Sequence, residues 1–167
     1  MRGELAVRSF RWIVPMLVAL SAMVLIPGSA TAAPPQTDQI RGLEYSATSS
    51  VGKFAGAATG PLPGGWNATV VHVPLSSIVD DAVPITGGSF SLYTFRTITG
   101  RFTGGTVTLI ESGPNCRNEK YRVVGTLGNL DDGGSGRFDV TLIHHRRPLG
   151  GSCVAYGATV AGSLVVG

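Results

Sequence analysis

Apolar and polar residues alternate along the C-terminal half of the chain. Between Arg137 and Arg146 the apolar positions recur at every second residue: Phe138, Val140 and Leu142. The same period runs through Glu119–Leu130 and through the last segment, where one face would carry Val154, Tyr156, Val160, Leu164 and Val166. A period of two with one apolar face predicts strands of a sheet that has one buried side.

Glycine-rich breaks separate these segments and predict tight turns. The predicted strands are Asn67–Val73, Gly88–Thr99, Thr106–Ser112, Glu119–Leu130, Arg137–Arg146 and Cys153–Val166, with one or two more in Gly42–Ala58. A turn that could include a short extended piece at Arg101-Phe102 is predicted at Gly100–Gly105, and a long connection at Leu75–Gly88. The 24 glycines and the low charged fraction of 14% also favour strands and turns over helices.

These elements predict a single all-β domain at 43–167, preceded by an extended N-terminal tail at 34–42. We expect six to eight antiparallel strands in a small barrel with a C-terminal meander. A two-sheet β-sandwich is the alternative architecture.

The first 33 residues have the pattern of an export signal. Met1–Arg11 carries three arginines and one acid, Trp12–Ile26 is a charge-free apolar run of 15 residues, and small residues follow up to Ala33. A membrane-spanning helix needs about 20 apolar residues, which favours cleavage over anchoring. We expect residues 1–33 to be a cleaved secretory signal peptide, cut after Ala32 or Ala33, and the mature protein to be secreted outside the cytoplasmic membrane.

Removal of this signal changes the charge of the chain. The 167 residues contain 13 basic and 10 acidic side chains, a net charge of +3. The signal holds three of the basic and one of the acidic side chains. The mature domain then has 10 basic and 9 acidic side chains, a net charge of +1. So small a charge on scattered residues does not predict a nucleic-acid partner, and membrane contact is expected only through the signal.

Two cysteines remain after export, Cys116 and Cys153. A disulfide is the expected state in an oxidising compartment. A metal pair or a nucleophilic thiol has little support, because no Cys-x-x-Cys spacing is present. In a meander, the turn that holds Cys116 and the turn just before Cys153 lie at the same end of the sheet, so the predicted topology permits the bond.

Polar residues collect at this cysteine end and form a candidate site. The candidate ligand-binding residues are His144, Arg146, Glu111 and Asp81. His144 continues the apolar parity of its strand and is expected to point inward near the mouth, whereas His145 points outward, so the two are not expected to share a metal ion. His144 could act as an acid or base with Glu111 or Asp81, or cap the core as a partly buried histidine. His72 is expected on the solvent side of its own strand or at a sheet edge.

The segment Gly64-Gly65-Trp66 resembles the G-x-W motif that opens the first barrel strand of lipocalins and avidins. In those families the tryptophan closes one end of the barrel, so the resemblance implies that Trp66 plugs the core opposite the cysteine end. The likeness covers three residues, and Trp66 is the one tryptophan after the signal, whereas avidin-type pockets use several. No binding residue is carried over from either family.

Three functions are compatible with these patterns. The leading hypothesis is a secreted, non-enzymatic binding module that recognises a small or extended ligand, or a cell-surface partner, at the rim near the disulfide. The second is a barrel enzyme of the isomerase or lyase type that uses His144 with Glu111 or Asp81. The third is a structural or cell-surface interaction protein without a pocket. The sequence has no nucleophile elbow or phosphate-binding glycine loop, and no cofactor is expected.

Overall fold

Eight antiparallel strands form a closed barrel in the computed structural model, which describes residues 34–74, 82–113, 115–131 and 133–167. The strands are β1 (Gln36–Ala47), β2 (Val51–Thr59), β3 (Gly64–His72), β4 (Val83–Tyr93), β5 (Thr97–Glu111), β6 (Glu119–Gly128), β7 (Gly136–Leu149) and β8 (Ser152–Val166). The predicted signal peptide, residues 1–33, lies outside the described residues. Within the described ranges there is no helix of the length and hydropathy that a membrane span requires.

The all-β antiparallel meander is confirmed, and the sheet closes as a barrel rather than forming a β-sandwich. Each strand pairs with the next along the chain, and β1 pairs with β8. The segment Gly42–Ala58 contributes to two long strands, β1 and β2. Most of the predicted tail at 34–42 belongs to β1, where it makes rungs with both neighbouring strands.

One predicted strand is wrong, because the chain reverses within it. Gly88–Thr99 covers the end of β4 and the start of β5, which are joined by a turn at 94–96. The Thr94 hydroxyl stabilises this turn without glycine or proline. It donates to the backbone oxygen of Arg96 at 2.9 Å and accepts from the Arg96 amide at 3.2 Å. Side-chain hydrogen bonds of this kind replace the usual turn residues.

The turn predicted at Gly100–Gly105 is also wrong, because these residues form a β-bulge inside β5. The register with β6 shifts between Phe102 and Gly104. Gly105 has a φ of 131°, and a Cβ atom there would lie 2.0 Å from the backbone oxygen of Val124. Glycine therefore permits a close approach of β5 to β6, not a chain reversal.

A second bulge changes which residues of β8 face the interior. His145 and Arg146 are adjacent, yet their partners on β8 are two residues apart, so Tyr156 is an extra residue between two rungs. One extra residue reverses the alternation, which places Val154 and Tyr156 on the outer face, where Tyr156 is 63% exposed. Their predicted position on the apolar face is wrong, although the predicted parity holds from Ala158 onwards.

Aromatic side chains fill the barrel near the end opposite the cysteines. Trp66 is 2% exposed near the start of β3, and Phe138 is fully buried near the start of β7. The Phe138 ring packs edge-on against Trp66, with centroids 5.8 Å apart, and against Phe102, at 5.7 Å. The Trp66 indole nitrogen donates to the backbone oxygens of Arg41 and Ala57. Trp66 thus belongs to the third strand, not to the first as in the G-x-W families.

A disulfide joins Cys116 to Cys153, with Cα atoms 5.1 Å apart, and the predicted pairing is confirmed. The bond connects the β5–β6 turn to the start of β8. A hydrogen bond from the Arg146 amide to the side-chain oxygen of Asn118, at 3.4 Å, joins the same turn to β7. The end of the β7–β8 hairpin is therefore attached to the β5–β6 turn. Disulfides are typical of oxidising compartments.

Candidate functional site

The candidate site is a groove at the disulfide end of the barrel, where β1 and β8 separate. Their ladder ends at Leu43 and Thr159, although β1 continues to Ala47 and β8 reaches back to Ser152. The groove has a volume of about 180 Å³ and is lined by Glu44–Ala47, His144, Ala155, Gly157 and Ala158. We call it the rim groove. The disulfide holds the start of β8 at the β5–β6 turn, on the side of the groove that is remote from β1.

A buried carboxylate–imidazole pair forms the inner wall of the rim groove. The Nε2 atom of His144 lies 2.9 Å from a carboxylate oxygen of Glu44, and the two side chains are 17% and 7% exposed. Both also line an inner cavity of about 30 Å³ within the barrel. The pair therefore stands between the groove and the barrel interior. The inner cavity by itself has room for about two water molecules.

Strand alternation places both members of this pair. Glu44 shares its parity on β1 with Ile40, and His144 shares its parity on β7 with Leu142, so both point inward. Tyr45 is the extra residue of a bulge between β1 and β2, and its exposed ring lies at the mouth of the groove. The bulge ends the regular alternation of β1 immediately after the carboxylate.

A second polar network lies beside the pair, on the inner face of β6 and β7. The Tyr121 hydroxyl donates to Glu119 at 3.1 Å, and Glu119 is ion-paired with Arg146. The rings of Tyr121 and His144 have centroids 5.2 Å apart. Burial, reinforced by the charge and hydrogen bond of Glu119, raises the pKa of Tyr121 to about 12. Tyr121 is consequently a neutral hydrogen-bond donor at physiological pH.

His72 faces the inner cavity, and the expectation that it lies on the solvent side of its strand is wrong. It is buried and lines that cavity. His72 follows Trp66, Ala68 and Val70 at every second position of β3, and these three residues are buried. This alternation in the sequence is the signal that His72 faces the interior. Its Nδ1 lies 2.7 Å from the backbone oxygen of Val73 and donates to it, since a carbonyl can only accept.

Two of the candidate residues from the sequence lie together, and a third lies elsewhere. His144 and Arg146 both point to the inside of β7, beside Tyr121 and Glu119. Glu111 does not approach His144, because a bulge at Ile110 turns it to the outer face. There it pairs with Lys120 at 2.6 Å, and its side chain is 56% exposed.

The carboxylate beside His144 is Glu44, which the sequence analysis missed. Asp81, the other acid considered for that position, lies outside the described residues. The signal in the sequence is that Glu44 lies four residues after Ile40, and therefore on the same face of β1 as that buried residue. That signal was weak, because small residues in Gly42–Ala58 obscure the alternation.

The chemistry of the rim groove is that of a carboxylate, an imidazole and small apolar walls. No group of three or more His, Cys, Asp or Glu side chains in the described part of the chain could hold a metal ion. A buried carboxylate accepts hydrogen bonds and balances positive charge, and histidine is the side chain that exchanges a proton near neutral pH. Comparison with models of protein families, with curated proteins and with solved structures finds no match to this chain.

Proposed function

We propose that the domain is a secreted, non-enzymatic binding module that takes a small ligand in the rim groove. The observation that carries the proposal is the end of the β1–β8 ladder at Leu43 and Thr159. Past that rung the strands leave a groove of about 180 Å³, with the Glu44–His144 pair at its inner wall. Small-ligand sites commonly combine apolar walls with a few convergent polar groups.

Two features support export of this module. Residues 1–33 have the basic, apolar and small-residue order of a signal peptide. The Cys116–Cys153 disulfide is typical of an oxidising compartment. Together they favour a protein that works outside the cytoplasmic membrane.

The groove suits a small ligand better than an extended peptide. A peptide strand would have to pair with the free edge of β8, and the bulge at Tyr156 interrupts the hydrogen-bond spacing along that edge. The opposite wall is short, since β1 contributes only Glu44–Ala47. A compact molecule can contact both walls without continuing either strand.

A barrel enzyme of the isomerase or lyase type is the second candidate, and the Glu44–His144 contact favours it. A carboxylate that orients an imidazole is a common arrangement for a general base. The reacting group would have to lie in the rim groove, because the inner cavity of about 30 Å³ does not admit an organic substrate. A binding module does not require a reacting group to lie beside the imidazole, and we therefore prefer it.

Filling the groove tests this proposal. Ala155→Phe adds a ring at an exposed position that lines the groove, whereas the matched control Val154→Phe adds the same ring on the outer face. Small neutral, cationic and anionic fragments would be screened by proton–nitrogen correlation NMR. We expect fragments that shift the amides of Glu44–Ala47 and Ala155–Ala158 in the wild-type protein and in Val154→Phe, but not in Ala155→Phe.

Two results would overturn the proposal. If no fragment shifts these amides, the pocket-free structural role is favoured. If fragments shift them equally in Ala155→Phe, the ligand binds elsewhere. Chemical conversion of a bound fragment that is lost in His144→Gln would instead favour the enzyme.

A further inference from the structure

We infer that the rim groove selects a small organic cation, an ammonium group on a compact apolar body. This inference rests on the proposed binding function and adds the charge of the ligand. Its basis is Glu44, a carboxylate with a side chain only 7% exposed that lines both the groove and the inner cavity. A carboxylate so far removed from water requires a partner with positive charge or strong hydrogen-bond donors.

The charges around Glu44 are not balanced when His144 is neutral. Glu119 is neutralised by its ion pair with Arg146. His144 is the hydrogen-bond partner of Glu44, at 2.9 Å, and a neutral imidazole supplies a donor but no charge. One negative charge then remains at the inner wall of the groove. A cation in the groove would compensate it at a carboxylate that is itself shielded from water, where charge pairing is stronger than at a fully hydrated surface group.

The rest of the groove suits the body of such a cation. Ala47, Ala155 and Ala158 are small apolar lining residues, and they leave space beside the carboxylate. Tyr45, which is 63% exposed, is also a lining residue, and aromatic rings attract positive charge. An anion would be repelled by the Glu44 carboxylate, and no lysine or arginine is among the lining residues to attract it.

Selection of a cation implies that affinity depends on pH. The titratable and charged groups that face His144 are Glu44 from β1, His72 from β3, Glu119 and Tyr121 from β6, and Arg146 from β7. Protonation of His144 places a positive charge 2.9 Å from Glu44 and neutralises it, so the imidazolium competes with the ligand. Protonation of His72 acts in the same direction. Cation affinity should therefore fall as the solution becomes acidic.

Three probes of nearly equal shape test the charge of the ligand on the unaltered protein. Benzylammonium, benzyl alcohol and benzoate would be titrated at about pH 8, above the ordinary pKa of a histidine side chain, with binding followed at the amides of the rim groove. We expect benzylammonium to bind roughly tenfold or more tightly than benzyl alcohol, the ratio of a charged to a neutral hydrogen bond. Benzoate should bind most weakly.

Matched variants then identify the carboxylate responsible. Glu44→Gln should weaken benzylammonium binding by roughly tenfold or more and leave benzyl alcohol unchanged. Glu111→Gln, which removes an acid from the outer face, should change neither. His144→Gln, which removes the competing imidazolium, should weaken the fall in benzylammonium affinity on acidification.

The outcomes separate this inference from the function on which it rests. Equal binding of the three probes, abolished by Ala155→Phe, would overturn cation selection and leave the binding module intact. Shifts that Ala155→Phe does not affect would overturn both. The probe series uses the wild-type protein, so a Glu44→Gln variant that fails to fold does not prevent the test.

Discussion

The two buried carboxylates of β1 show how differently the ends of the barrel are built. Asp38 and Glu44 lie on the inner face of the same strand. Asp38, at the end that holds the aromatic core, is fully buried and accepts the Leu62 amide at 2.8 Å, which stabilises the β2–β3 turn. Glu44, at the disulfide end, bonds to His144 and faces a groove. Asp38 therefore accepts a hydrogen bond from the backbone, whereas Glu44 bonds to a side chain at the wall of a groove.

Strand pairing differs between the ends in the same way. The ladders of the described strands contain five register shifts, of which four lie towards the disulfide end, at Tyr45, Thr86, Ile110 and Tyr156. Bulges redirect side chains and end strand pairing, which is why they are common at barrel rims and functional sites. We expect the aromatic end, where large rings are buried, to provide most of the stability of the domain.

Removing the central ring of the aromatic end should have the largest effect. Phe138→Ala deletes a fully buried ring between Trp66 and Phe102, and it should lower the free energy of unfolding by about 3–5 kcal/mol. Urea unfolding measures the change. Phe95→Ala, at a ring that is 86% exposed in the β4–β5 turn, is the matched control and should change stability by about 0.5 kcal/mol or less. Similar losses for both variants would contradict the assignment of this stability to the buried ring.

Breaking the disulfide should have the next largest effect and should act mainly on the rim. Replacing Cys116 and Cys153 with serine opens a bridge between residues 37 apart in sequence and should cost about 2–4 kcal/mol. Hydrogen exchange should accelerate in the hairpin from Arg146 to Gly157 more than around Phe138. Reductant should lower the Tm of the unaltered protein. An unchanged Tm, or equal acceleration at both ends, would argue against a local role for the bond.

The buried phenol should make the disulfide end sensitive to alkaline solution. The pKa of Tyr121 is raised from 10.0 to about 12, so between those values the unfolded chain releases a phenolic proton that the folded chain retains. The associated stability is fully present below pH 10.0 and is lost as the pH rises towards 12. Tyrosinate absorbance should show a late step near pH 12 that is absent in Tyr121→Phe and present in Tyr156→Phe. If the absorbance step near pH 12 persists in Tyr121→Phe, the raised pKa belongs to a different tyrosine.

The smallest effect is expected on the outer wall, away from both ends. Hydrogen bonds from Arg122, and then from Arg137, lower the pKa of Asp139. The resulting stability is present above the ordinary aspartate pKa and is lost as the pH falls through the lowered value. Asp139→Asn should reduce stability at pH 7 by about 1 kcal/mol or less, since both arginines are exposed. The urea midpoints of the wild-type protein and of Asp139→Asn should converge in strongly acidic solution. A difference that persists there would show that the stability does not come from the ionised Asp139 carboxylate.

Regular ladders were predictable from the sequence to within three residues at either end of a strand. Glu119–Leu130 and Arg137–Arg146 correspond closely to β6 and β7. Their rungs follow one another without a register shift, so the apolar face stays on one side. Alternation is a local property and can be read from the residues alone.

Bulges account for most of what the sequence did not predict. An extra residue at Ile110 or Tyr156 leaves no mark in the local pattern, yet it reverses the face of everything beyond it. Glu111 consequently points outward instead of towards His144. The side-chain turn at Thr94 escaped prediction for a related reason, because threonine is also a common strand residue.

The sequence by itself determined the all-β meander, the regular strands β6 and β7 with their inward faces, and the end at which the two cysteines meet, because these follow from local periodicity and from the order of a meander. Only the tertiary structure decided which carboxylate meets His144. Glu44 is 100 residues away along the chain, and β1 reaches β8 only when the sheet closes. The rim groove likewise depends on the rung at which the β1–β8 ladder stops, which involves strands from opposite ends of the chain and the disulfide that holds one of them.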